Sequence, residues 1–131
     1  MMDEQVTTFG RDLADCLEQL LSLEPPPDCK IGNYLGESGL DHRLSGTRWG
    51  PFDTVTEFHT YLRRGRPIEH WGREPDVVRV HSHPEGTYKL KFTHADLAPR
   101  NIRVKDGHIT GILDWEFSGW YPEYWDYTKM Y

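Results

Sequence analysis

The chain reads as an α+β fold, mostly helical and organised around one small β-hairpin. Three observations predict it. Residues 8–23 carry apolar side chains at helical spacing, residues 53–64 do so again, and Asp106-Gly107 lies between two short runs of alternating apolar residues. At 131 residues the chain suits one domain with its own core, and residues 1–131 are read as that domain. Its 37% hydrophobic content, with five Trp and seven Tyr, belongs to a folded protein rather than a disordered one.

Phe9, Leu13, Cys16, Leu17, Leu20 and Leu21 form one stripe, which predicts a helix from Thr8 to about Leu23, capped by Thr7 or Thr8 and ended by Pro25-Pro26-Pro27. Residues 28–51, rich in Gly, Ser and Asp, read as a long loop. Gly32, Gly36 and Gly39 satisfy neither glycine-rich phosphate-loop spacing, so this stretch is not read as a nucleotide loop. A second helix is expected over Asp53 to Arg64, capped by Asp53 and closed by Gly65, with Val55, Phe58, Tyr61 and Leu62 on one side. His59 lies beside that stripe as a structural residue, and Arg63, Arg64 and Arg66 read as a solvated helix end. Residues 67–80 fit a short helix or an extended connection. His81-Ser82-His83, next to Pro84 and Gly86, reads as an exposed loop, since a zinc site would need further ligands. Leu90 to Thr93 is a short strand. Near the end, Gly119 and Pro122 mark turns, and Pro122 starts a helix containing Tyr124, Trp125, Tyr127 and Met130. Few basic residues surround these aromatics, so they are core rather than a platform for bases.

The hairpin carries the chemistry. Asp-Gly suits a type I′ turn, which needs positive φ at both central positions, so residues 101–105 pair with residues 108–113. Ile102 and Val104 share one face of the first run; Ile109 with Gly111, or Ile112 with Asp114, set the second. A hairpin brings its ends together, so Asp96 and Asn101 on the entering loop and Asp114 at the exit should converge. Asn101 and Asp114 offer hard oxygen ligands suited to Mg²⁺ bound jointly with substrate phosphates. Asp96 is an acceptor able to orient a hydroxyl and take its proton.

The order His94-Ala95-Asp96, Asn101, hairpin, Asp114-Trp115-Glu116 resembles the catalytic loop and metal-binding segment of the aminoglycoside phosphotransferase and choline kinase-like families, relatives of the protein kinases. The resemblance implies a kinase-like C-terminal lobe. In it Asp96 would be the catalytic base, Asn101 and Asp114 the Mg²⁺ ligands, and His94 a support for the loop. It also implies that an acidic residue steadies the loop through its backbone, with Asp126 in position to do so. In fungal members the segment matching residues 28–51 is a wall of the acceptor pocket. One departure is Ala95 in place of the usual glycine, a mild change if φ there is negative.

Those families hold ATP with an N-terminal lobe of strands, a backbone cradle and a lysine. The chain is expected to lack that lobe and so to be a truncated member. Three functions follow from this expectation: ATP- and Mg²⁺-dependent phosphoryl transfer to a small-molecule hydroxyl, a pseudokinase-like binding module, or nucleotide-independent chemistry on a natural product with Asp96 as acid or base. A homo-oligomer or a partner chain would cover the missing lobe. The net charge of −6 disfavours nucleic acid. No run is long and apolar enough for a membrane span, the first residues are no signal peptide, and two cysteines are no disulfide framework, so a cytoplasmic setting is expected.

Overall fold

The computed structural model describes residues 3–40 and 48–126. In chain order these are helix α1 (Asp3–Leu21), strands β1 (Gly32–Asn33), β2 (Gly39–Leu40) and β3 (Arg48–Trp49), helix α2 (Val55–Leu62), a 3-10 turn (Ile68–Trp71), helix α3 (Pro75–His81) and strand β4 (Leu90–Thr93). A second 3-10 turn (Pro99–Asn101) and strands β5 (Ile102–Lys105), β6 (His108–Ile112) and β7 (Gly119–Pro122) follow. The strands make three antiparallel sheets, β1-β7-β4, β2-β3 and β5-β6, so the fold is α+β with more strand than the sequence reading expected.

Helix α1 begins five residues before the expected start. Thr7 and Thr8 do not cap it; they lie inside, and their hydroxyls donate back to the carbonyls of Asp3 and Glu4 at 3.2 and 3.0 Å. Its stripe buries Leu17 and lies on the hairpin, where the Asp12 carboxylate accepts the Ile109 N–H at 2.9 Å.

Residues 28–51 are not the featureless loop that composition suggested. Ile31 bridges Phe52, and β1 joins the edge of β7 in the register Gly32↔Trp120 and Asn33↔Gly119. The glycines explain how this happens and why pattern reading missed it. A Cβ on Gly119 would overlap the Gly32 carbonyl, and a Cβ on Gly32 would overlap the Glu37 carbonyl. Bare backbone is therefore what lets these strands approach, and two-residue strands carry no alternation to read. Residues 119–122, expected as turns around a helix start, are instead the central strand β7. Pro122 ends the pairing opposite Leu90, where its missing N–H costs nothing. The described part of the following helix begins at Trp125; Tyr127 and Met130 lie outside the described residues.

The core gathers Ile31, Trp49, Val55, Phe58, Phe117, Tyr121 and Trp125. Trp49, from the stretch read as loop, stacks against Phe58 at 5.5 Å and Tyr121 at 5.8 Å, so the aromatics are core, as expected. Helix α2 is capped by Thr54 rather than Asp53; the Thr54 hydroxyl accepts the Glu57 N–H at 3.1 Å. A second cap comes from a distance. The Glu85 carboxylate accepts the N–H groups of Val55 and Thr56, both at 2.9 Å, and the Thr56 hydroxyl at 2.7 Å. Partial desolvation pushes this carboxyl up, but those bonds outweigh it and hold it below the usual range. Gly65, at φ +75°, closes the helix by donating to Thr60 O at 2.9 Å.

His81 is not on an exposed loop. It ends α3 and stacks on the buried His59 with ring centroids 4.1 Å apart and planes 2° from parallel. Arg63, expected in solvent, is buried and donates from Nη1 to His81 Nδ1 at 2.9 Å, while His59 Nε2 meets the Tyr124 hydroxyl at 2.6 Å. Burial first, then for His59 the neighbouring His81 ring and the charge of Arg63, and for His81 the charge of Arg63, holds both histidines down to about 4. An unfolded chain protonates them near 6.5, so between these values the unfolded state binds more protons. Their contribution is complete above about pH 6.5 and is lost as pH falls toward 4.

Two predictions follow from these contacts. Thermal unfolding should show Tm dropping by roughly 5 °C or more between about pH 7 and about pH 4.5, with His81→Phe flattening the dependence; an unchanged slope in that variant would contradict the assignment. In urea, Gly119→Ala should lose about 3 kcal/mol or more through the overlap with Gly32, whereas Gly111→Ala, with open space around its Cα, should stay within about 0.5 kcal/mol of the parent.

Candidate active site

The site is built on the loop that leaves β4. His94 is fully buried, and its backbone N–H and both ring nitrogens are spent on the backbone or on Asp126. Its ring Nδ1 accepts the Asp96 N–H at 3.1 Å, so the ring proton sits on Nε2, which donates to Leu113 O at 2.8 Å. One neutral tautomer satisfies both bonds, and no ring nitrogen is left for chemistry, as the supporting role expected. The Asp126 carboxylate accepts the next two donors, His94 N–H at 3.1 Å and Ala95 N–H at 2.7 Å. Burial pushes the Asp126 carboxyl up, and these two bonds work against that rise.

Asp96 is 1% exposed. Asn101 Nδ2 donates to its backbone carbonyl at 2.8 Å and to its carboxylate at 3.0 Å. Because both partners are acceptors, the amide nitrogen must face Asp96, and Asn101 Oδ1 is turned the other way. Arg100 Nη2 lies 2.9 Å from each Asp96 carboxylate oxygen. The sequence reading missed Arg100. Its signal was available as the acid–base spacing of four from Asp96, which the Pro99–Asn101 turn makes a contact.

Asp114 is tied in through its neighbour. Leu113 N–H donates to Asn101 O at 2.7 Å while Leu113 O accepts from His94, so the residue before Asp114 is clasped by both ends of the loop. Asp114 itself is exposed and stands at φ +63°, a left-handed conformation that Asp tolerates better than most residues. Beside it, Trp115 donates from Nε1 to Ile112 O at 2.9 Å and packs edge-on against His94 at 4.5 Å. Thus Asp96 and Asn101 are in direct contact, and Asp114 is held at the same hairpin mouth with its side chain in solvent.

The hairpin delivers this convergence. Asp106 and Gly107 have φ of 53° and 82°, as a type I′ turn requires, and the ladder runs Lys105↔His108, Val104↔Ile109, then Arg103↔Gly111 and Ile102↔Ile112. The step skips Thr110, a bulge that lets Ile109 and Ile112 face the same side although three positions separate them. Ile109 and Gly111 therefore fall on opposite faces, so the first of the two pairings left open by the sequence is not used, and Asp114 lies beyond the paired residues.

The donor set suits Mg²⁺ shared with phosphates: one exposed carboxylate and one outward amide oxygen, all hard ligands. Among the described residues no group of three or more His, Cys, Asp or Glu gathers as a metal cage. The condition under which Ala95 is a mild replacement for glycine, a negative φ, is not met, because its φ is +68°. The left-handed turn lets successive N–H groups converge on Asp126, at a steric cost of about 1–2 kcal/mol for a residue with a Cβ. Ala95→Gly would remove that cost but lose a buried methyl, about 0.8 kcal/mol, and a further 0.5–1 or so in chain entropy. Denaturation should therefore find Ala95→Gly within about 1 kcal/mol of the parent and Ala95→Val destabilised by about 2 kcal/mol or more.

A family model described as the phosphotransferase enzyme family matches residues 1–131. No curated protein and no solved structure matches the chain. Among the described residues no helix is long and apolar enough to cross a membrane. With the whole chain covered and the loop, hairpin and exit carboxylate arranged as described, the chain belongs to the phosphotransferase enzyme family.

Proposed function

We propose that this chain supplies the catalytic loop for Mg²⁺-dependent phosphoryl transfer from ATP to the hydroxyl of a small molecule. The observation that carries the reading is the clasp on Leu113, which ties His94 and Asn101 to the residue before Asp114. Asp96 is the base: it accepts the hydroxyl proton at a carboxylate oxygen, and Asn101 and His94 fix its orientation through the bonds to its carboxylate, carbonyl and N–H. Asn101 Oδ1 and the Asp114 carboxylate would hold the metal, which when bound would neutralise charge on the phosphate oxygens. The elements that surround this loop support assignment to a kinase-like C-terminal lobe of the aminoglycoside phosphotransferase and choline kinase type, as in the fungal members. The remaining nucleotide contacts would come from residues outside this loop, in a cytoplasmic setting.

A second reading, a binding module that keeps the metal site but transfers nothing, is favoured by one observation. Asp96 is 1% exposed and carries Arg100 across both oxygens. Turnover decides between the two: loss of ATP-dependent product formation in Asp96→Asn supports the first, and no product in the parent at any ATP concentration supports the second.

The site assignment is tested by calorimetric titration with ATP in the presence and absence of Mg²⁺. Binding should need Mg²⁺ and weaken at least about ten-fold in Asp114→Ala, while the circular dichroism of that variant stays that of the parent. Equal affinity in Asp114→Ala would remove Asp114 from the metal site.

A further inference from the structure

We propose that Arg100 is an oxyanion-binding latch: its guanidinium takes a phosphoryl oxyanion and in doing so is drawn off Asp96, uncovering that carboxylate. The inference rests on the reading of Asp96 as the group that must meet a substrate hydroxyl. Asp96 is 1% exposed, while the Arg100 side chain is 65% exposed, so Arg100 lies on the outward side of the pair.

The contact itself is a weak use of a guanidinium. A single nitrogen, Nη2, straddles both carboxylate oxygens at 2.9 Å, whereas the strongest carboxylate or phosphate pairing sets two nitrogens in parallel on two oxygens. Nη1 and Nε make no hydrogen bond to any described residue, and because each two-pronged edge of a guanidinium, Nη1 with Nη2 or Nε with Nη2, includes Nη2, an anion that takes such an edge competes with Asp96 for that nitrogen. Release of Arg100 does not orphan Asp96, because Asn101 Nδ2 continues to donate to it. The chain's net charge is −6 and Asp114 is exposed nearby along the hairpin mouth, so an anion reaching this loop needs a fixed cation. Arg100 is the only Arg or Lys between His94 and Asn101. Membership of a phosphotransferase family favours a phosphoryl group over a carboxylate as the anion.

Such a latch couples two events. An acceptor hydroxyl cannot reach a covered carboxylate, and the carboxylate is uncovered when a phosphoryl group engages Arg100. The base is thereby withheld until the group to be transferred has arrived.

The competition between Asp96 and the anion for one guanidinium gives the test. Inorganic tripolyphosphate is titrated calorimetrically into the parent, Asp96→Asn, Arg100→Ala and the double variant, without Mg²⁺ or nucleoside. Removing the competing charge in Asp96→Asn should tighten binding roughly ten-fold, Arg100→Ala should lose it, and the gain from Asp96→Asn should vanish in the Arg100→Ala background. A gain that persists in the double variant would be general electrostatics and would overturn the latch. So would parent-like binding by Arg100→Ala, no binding in both parent and Asp96→Asn, or equal affinity for tricarballylate. Should Asp96→Asn not fold, Arg100→Ala changes only an exposed side chain and still decides on anion binding. ATP–Mg²⁺ binding that fails while tripolyphosphate binding behaves as expected would remove the phosphotransferase reading and leave the latch; the reverse would remove the latch alone.

Discussion

Everything at this site hangs from one buried carboxylate. Asp126 takes two consecutive backbone donors, His94 N–H and Ala95 N–H, and those donors converge only because Ala95 adopts a left-handed conformation. That turn sets His94 into the interior, and the His94 ring then reaches in two directions, to Asp96 N–H and to Leu113 O. The loop and the hairpin are thus parts of one hydrogen-bonded unit. A buried carboxylate without those donors would be costly, and the donors without the carboxylate would be orphaned, so each stabilises the other.

The same economy governs the sheet beneath. Strand β7 lies between β1 and β4, and it is admitted beside β1 by Gly119, whose missing Cβ leaves room for the Gly32 carbonyl. Trp49, Phe58 and Tyr121 fill the space on one side, with Trp125 closing toward the residue that anchors the loop. Packing and site are therefore continuous: Trp125 is core, and its neighbour Asp126 is the anchor.

What was legible in the sequence were the features with local causes. Asp106-Gly107 dictates its turn through φ alone, Leu90 to Thr93 alternates within one short strand, and the α1 stripe needs only helical spacing. Asp126 was legible through the resemblance, at the position where kinase-like folds carry their loop anchor. Features with distant causes were not legible. Within residues 28–51, β1 forms by pairing with a segment near the other end of the chain while β2 and β3 pair with one another across several residues, and Pro122 ends a strand rather than starting a helix because β4 lies alongside. The Thr54 cap displaced the Asp53 cap by one position, a choice between two competent residues that propensity cannot make. His81 took its environment from His59 and Arg63 on another helix, and Ala95 revealed its φ only in the context of Asp126. The Arg100–Asp96 contact was legible only as a spacing of four, which becomes an ion pair because the Pro99–Asn101 turn folds the segment back.

The bulge at Thr110 has a consequence for how this protein can vary. In an unbroken ladder, side chains alternate strictly, and one extra residue exchanges the two sides for everything that follows. Thr110 is that extra residue, and it lies between the turn and Asp114. The direction in which Asp114 leaves the hairpin is therefore a matter of parity. It is set by whether the number of residues after Gly107 is odd or even, more than by which residues they are. Libraries of substitutions would pass over this dependence entirely. Deletions and insertions of a single codon in this segment would expose it, with one lost residue enough to reverse the side and a compensating gain enough to restore it.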